Sequence, residues 1–378
     1  MIKVTLRKNL IYLLILYIGY LLRRIISLLI DDFFHIDISY INLFLMTLGM
    51  FIGGLTIYIY YIISFRKKKV AKYFRVDLIY NKVYCKQKDG AFKIALLIFF
   101  AGFFDFIEYI IASFFIPKIT ENSLIDGLGL GSIATISSSL ICTYALGFKI
   151  GRHNKMSLIA LSLCACASII FDLLFKPDNI SFGKFIFAQF LSCLYLIFIS
   201  FTDCIERYLV DYNFLNPFYI LMIEGILEFI MAIFYSINKA PFKELGNQYD
   251  NNSAGKFTLL IFLLILYLLF SIIVNSYKIY CNCIYSPMAR SLAGYFFNPF
   301  LNIYYFIRNT EKNYFYFFIN ELIGILADIF ACVYNEYIIL FCCGFEHDTN
   351  DLISQRSEKT EIYHLNTIMS VDDIIEED

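Results

Sequence analysis

Long apolar runs dominate this sequence and leave it few ways to fold. A helix needs about 20 mostly apolar residues, each rising about 1.5 Å, to cross the hydrocarbon core of a bilayer. Such runs recur at residues 10–30, 41–64, 93–116, 128–148, 156–175, 183–202, 216–237, 256–279, 289–307 and 315–342, separated by short polar connectors. The composition agrees: of 378 residues, 60% are hydrophobic and 17% charged, and the mean hydropathy is +0.67. Strands of a membrane barrel alternate apolar and polar residues, whereas these runs are solidly apolar. Helices are then the way to satisfy the backbone in lipid. The expected fold is all-α, a polytopic membrane protein of ten transmembrane helices.

Lys and Arg gather in alternate connectors, above all between Arg66 and Lys93, on the side that holds the N-terminus. By the positive-inside rule both termini are cytosolic, and Arg207, Lys278 and Arg290 fall in cytosolic connectors. The first run lacks a small-residue cleavage site and carries Arg23 and Arg24, so it is expected to remain as the first span. An Asn-x-Ser triplet places a glycosylation acceptor, Asn251, in the longest outer loop. The cysteines lie inside spans or beside cytosolic connectors, which argues against a disulfide framework, and Cys281-x-Cys283 has no histidine near it to complete a metal site. A net charge of −1 gives no reason to expect a nucleic acid partner.

Five spans per half impose a geometric consequence: a second copy must enter the membrane from the opposite face. The expected plan is two inverted five-helix repeats, residues 10–175 with a basic cytosolic loop at 65–93, and residues 183–343. Residues 1–9 form a cytosolic N-terminus and 344–378 a disordered acidic tail. In inverted-repeat carriers, weakened helices at corresponding places mark the substrate site. Here the fourth span, "GLGLGSIATISSSLICT", is rich in Gly and hydroxyl residues, and the ninth, "SLAGYFFNPFLNIYYF", has Asn298-Pro299 in mid-run. Ser132, Thr135 and Ser139 either line a cavity or let helices pack closely.

"GSIATISSSLICTYALGFKIGRHNKMSLIALSLCACASII", "DCIERYLVDYNFLNPFYILMIEG" and "CVYNEYIIL" resemble, respectively, helices four and five, the joint between helices six and seven, and the closing helix of the drug/metabolite transporter superfamily. That superfamily includes nucleotide-sugar and triose-phosphate carriers. The resemblance covers the ten-helix plan from about residue 10 to 343 and implies alternating access by rocking of two halves.

Charges inside the runs are the candidate binding groups, because an ionisable side chain at the bilayer centre costs at least about 2.5 kcal/mol and usually faces a cavity or a partner. Asp105 and Glu108, three apart, share a helical face, as do Glu224 and Glu228, four apart. Asp328 and Glu336 lie along the tenth span with Glu321. Arg23 and Arg24 are the matching bases, read as anion binders, as permanent ion-pair partners or as residues reaching for the outer headgroups. Together these charges are expected to line a shared aqueous pocket between the halves.

The expected function is a secondary transporter for a small polar or anionic metabolite, of the nucleotide-sugar or phosphorylated class. It needs no cofactor and is coupled to a proton or to an exchanged metabolite, in an endomembrane or the plasma membrane. The four histidines lie in connectors or the tail, and no phosphate loop or His-Glu-x-x-His occurs, so an enzyme is not expected. A receptor or scaffold and a carboxylate-based membrane enzyme are the alternatives.

Overall fold

A computed structural model of the chain describes residues 3–4, 11–34, 39–66, 89–119, 128–148, 150–175, 180–237, 254–295 and 314–339. They are almost wholly helical: α1 (Ile11–Phe34), α2 (Ser39–Arg66), α3 (Ala91–Ile110), α4 (Ser132–Leu146), α5 (Arg152–Leu174), α6 (Phe182–Asn213), α7 (Pro217–Ser236), α8 (Ala254–Ile284), α9 (Pro287–Tyr295) and α10 (Tyr314–Tyr334). A π-helical turn, Ile111–Phe115, and Ile116–Ile119 prolong α3. Eight of these helices are long and apolar enough to cross a membrane, so the protein has the character of a multi-pass helical membrane protein. Its outer surface fits that medium, since large apolar side chains such as Leu163, Phe234 and Phe318 face outward.

The two weakened runs are the two short helices. A 3₁₀ turn, Leu128–Gly131, takes up the glycine-rich start of the fourth run and leaves α4 with 15 residues. That is about 22 Å, short of the roughly 30 Å hydrocarbon core. Gly147 ends α4 in the left-handed region at φ 69°, which lets the Phe148 N–H reach back to the Cys142 carbonyl at 3.2 Å. In the ninth run α9 has nine residues, and Asn298-Pro299 lies outside the described residues, as do Asn251, most of the basic loop and the tail.

Two other runs are longer than their apolar cores. α6 continues to Asn213 rather than 202, and α8 to Ile284 rather than 279. The charges past the apolar segment have partners that let the helix go on: Arg207 binds Asp211 one turn later at 2.6 Å and donates to the Asn282 and Cys283 carbonyls on α8. α6 stops where Phe214 turns left-handed, and the Asn216 side chain caps α7 ahead of Pro217. α10 ends at Tyr334, eight residues before the apolar run does. Glu336 therefore lies beyond the helix, with φ 59°.

Helix partners follow a regular scheme. α1 packs on α8 and α9, α2 on α7 and α8, α3 on α6 and α7, α4 on α5, α6 and α9, α10 on α5 and α9, and α8 also on α6, α7 and α9. α1 and α8 are antiparallel, with Tyr12 against Tyr277 and Tyr280. So are α3 and α6, where Asp89 meets Asn213. The closest approach is between α2 and α7: a Cβ on Gly54 would stand 2.5 Å from the Met222 nitrogen, and one on Gly225 would stand 2.5 Å from the Phe51 nitrogen. Lys3–Val4 (β1) pairs antiparallel with Ile338–Ile339 (β2), so the start of the chain meets the end of α10 at one end of the bundle.

Candidate functional site

Inside this bundle, ionisable side chains from five helices converge. The acids come as same-face pairs: Asp105 and Glu108 on α3, Asp203 and Glu206 on α6, Glu224 and Glu228 on α7. Two bases meet them, Lys278 on α8 and Arg290 at the start of α9. All eight side chains except the half-buried Glu108 are buried.

Lys278 Nζ donates to Asp105 Oδ1 at 2.5 Å, joining α8 to α3. Arg290 Nη1 donates to Asp203 Oδ2 at 2.7 Å, and Nη2 to the Tyr20 hydroxyl of α1 at 3.3 Å. Asn282, one turn beyond Lys278, donates to Glu206 Oε2 and to the Asp203 carbonyl, each at 2.8 Å. Glu108 lies one turn from Asp105 on the same face of α3. In contrast, both carboxylate oxygens of Glu228 and Oε1 of Glu224 have no hydrogen-bond partner. Asp203 Oδ1 and Arg290 Nε also lack one. Six carboxyl groups thus face two bases in a dry interior, where each unpaired charge is expensive.

Of the residues singled out from sequence, Asp105, Glu108, Glu224 and Glu228 are brought together here. Arg23 and Arg24 are not the cations that pair with them. Arg24 is exposed, and the half-buried Arg23 lies over the Tyr20 ring with its Cζ 5.5 Å from the centroid. Through Tyr20 it touches only the edge of the network.

The hydroxyls of α4 serve helix contacts. Ser132 Oγ donates to the Leu161 carbonyl of α5 at 3.2 Å, Thr135 meets Ser291 of α9 at 3.4 Å, and Ser139 meets the Tyr334 hydroxyl of α10 at 2.6 Å. Asp328 is half-buried on α10, where the charge acting on it is Glu321 of its own helix. Glu336 is buried in the turn after α10. Asn298 lies outside the described residues.

Sequence reasoning passed over Asp203, Glu206, Lys278, Asn282 and Arg290. One signal for them was present. Ser271, Asn275, Lys278 and Asn282 recur at helical spacing in an otherwise apolar run, and all four are buried. Asp172 was also missed; it accepts from Gln189 at 2.9 Å and from the Tyr316 hydroxyl at 2.7 Å, tying α5 to α6 and α10.

Apart from the half-buried Glu108, the side chains of the network are buried. A groove of about 530 Å³ between α2 and α7, lined by Ile41, Phe44, Phe229 and Ile233, is apolar and holds none of these charges.

At the end of the bundle where α3 begins and α6 ends, Asp89 clasps the two helices. Its carboxylate accepts from Lys93 at 2.6 Å and from Asn213 at 3.1 Å, while its N–H donates to Asn213 Oδ1 at 3.0 Å. The Lys93 hydrogen bond first, then that of Asn213, holds the Asp89 carboxyl down at about 2. A carboxyl held below its usual value stabilises the fold above that usual value, about 3.9, and ceases to do so as pH falls through its folded value. Melting of the detergent-solubilised protein should therefore drop between about pH 4 and about pH 2, and the drop should be smaller in Asp89→Asn.

No protein-family model matches the chain, and no curated protein matches it.

Proposed function

We propose that the protein is a secondary carrier that moves a small polar or anionic metabolite by alternating access between two inverted five-helix halves. The nucleotide-sugar or phosphorylated class follows from the resemblance to the drug/metabolite transporter superfamily. The observation that carries the reading is the buried charge network, because its members come from both halves. Asp105 and Tyr20 belong to the first, and their partners Lys278 and Arg290 to the second. A chain that needed only to sit in lipid would have no use for eight ionisable groups at its seam.

Much of the packing scheme fits two related halves, although the α6–α8, α7–α8 and α8–α9 contacts have no counterpart of similar size at α1–α3, α2–α3 and α3–α4. Advancing each helix by five carries the α1–α8 contact onto α6–α3, α2–α8 onto α7–α3, α4–α6 onto α9–α1, and α4–α5 onto α9–α10. The contacts α2–α7, α4–α9 and α5–α10 map onto themselves. At the α2–α7 crossing the correspondence reaches single residues. Gly54 lies against Met222 and Gly225 against Phe51, and the same sequence interval separates Gly54 from Gly225 as separates Phe51 from Met222. An exchange of this kind is what inverted repeats would produce, and it is the main support for that part of the reading.

In this reading the closed network is the state between the two openings. An anionic substrate would take over Lys278 and Arg290 from Asp105 and Asp203 when one side opens. The excess of basic residues on the N-terminal side favours cytosolic termini, in an endomembrane or the plasma membrane.

Flux of a metabolite panel, nucleotide sugars and sugar phosphates included, into liposomes that hold the purified chain tests this. We expect uptake of at least one compound, lost about tenfold or more in Asp105→Asn. A well-folded protein that moves none of them would sink the carrier reading, and one that releases product without flux would make it an enzyme.

A further inference from the structure

Glu224 and Glu228 differ from the other acids of the network. Asp105, Asp203 and Glu206 each accept from a named donor on another helix, and Glu108 is only half-buried. Glu228 has no exposed surface and no partner for either oxygen; Glu224, one turn before it, is 1% exposed with Oε1 unpartnered. The elements around them supply little positive charge. α3 contributes Asp105 and Glu108, α6 contributes Asp203 and Glu206, and α8 contributes Lys278, which is already bound to Asp105. From Ser39 to Ser64, α2 carries no ionisable side chain other than tyrosines. Two acids therefore face each other and further acids without a base of their own.

Neutralising them takes a cation. A metal ion requires several oxygen ligands at about 2.0–2.6 Å, and among the described residues no three acidic, His or Cys side chains come together to hold one. An organic cation requires room, and α3 closes on this point: a Cβ on Gly102 would stand 3.6 Å from the Glu224 Cα. A proton needs one carboxylate oxygen and no space.

We propose that Glu224 and Glu228 form a proton-binding site inside the bundle, one that exchanges its proton with the medium when the network opens. The purpose of such a site, coupling proton movement to metabolite movement, rests on the carrier reading; the site itself rests on the geometry of α7.

Dicyclohexylcarbodiimide reads this without any knowledge of the substrate. It dissolves in the bilayer and reacts with protonated carboxyl groups. The acid proton passes to a carbodiimide nitrogen and the carboxylate oxygen adds to the central carbon. The acyl group then shifts to nitrogen as a stable acylurea, with no leaving group. The full chain in liposomes would be treated at about pH 6 and at about pH 10, values that bracket the range of about 8–9 seen for buried glutamates, and the modified peptide identified by mass spectrometry.

The expected result is a label on the peptide that carries Glu224 and Glu228, falling about tenfold or more at the higher pH and lost in E224Q/E228Q. No label at either residue in the native protein would overturn the proposal. So would a label equal at both pH values, which would mean a fixed structural proton. The native pH profile decides even if the double variant fails to fold. Failure of the carrier reading is separate, since it appears as absent metabolite flux with the label intact.

Discussion

Replacing Lys278 with Met should destabilise the fold by about 3–5 kcal/mol, the range for removing one partner of a buried ion pair. The ammonium is 2.5 Å from Asp105 and each side chain is 8% exposed, so the carboxylate left behind has no water to turn to. Met keeps most of the Lys volume, which limits the loss to charge. If the missing cation is the cause, adding Asp105→Leu to Lys278→Met should recover most of the loss. A well-packed apolar pair in place of a buried ion pair is often neutral or better. The contrast within the protein is Arg207 with Asp211, 17% and 28% exposed on one helix, where a pair of this kind contributes about 0.3–0.5 kcal/mol. Thermal unfolding in detergent of the two singles and the double gives the coupling directly. A Lys278→Met protein as stable as the native chain would mean that Asp105 is not buried beside it.

The second large effect is steric. Gly54→Val and Gly225→Val should each destabilise by about 1–3 kcal/mol or more, because the atoms in the way belong to the backbone of the facing helix and cannot rotate aside. A Cβ at either position would come within 2.5 Å of a main-chain nitrogen, Met222 in one case and Phe51 in the other. The two contacts lie on one crossing, so the second substitution should cost less than the first once α2 and α7 have been pushed apart. Gly90 and Gly183 have nothing near an added Cβ, and valine there should leave the melting temperature almost unchanged. Losses at all four positions would remove the close crossing as the explanation.

The helical class was legible because lipid demands unbroken apolar runs, and eight of the ten expected spans are helices long and apolar enough to cross it among the described residues. The ends were less legible. A run is bounded by its first charges, yet α6 and α8 continue through Asp203, Glu206 and Lys278, whose partners sit on other helices. Nothing local announces a partner 173 residues away, as Asp105 is from Lys278. For the same reason Lys278 and Arg290 were counted as cytosolic anchors, and partners for the acids were sought in Arg23 and Arg24. The pairs Asp105/Glu108 and Glu224/Glu228, by contrast, were visible because three- and four-residue spacing fixes a face whatever surrounds it, whereas Asp203/Glu206, at the same spacing, fell just past the expected end of its run. The hydroxyls of α4 could be read either way, and their bonds to α5, α9 and α10 favour packing.

The short ladder between Lys3–Val4 and Ile338–Ile339 ties the beginning of the first half to the finish of the second. It holds Lys3–Val4 beside the residues that follow α10 at that end of the bundle. In the carrier reading, opening at that end would have to break or carry the ladder while opening at the other would not, so trimming the first few residues should tilt the balance between the two openings.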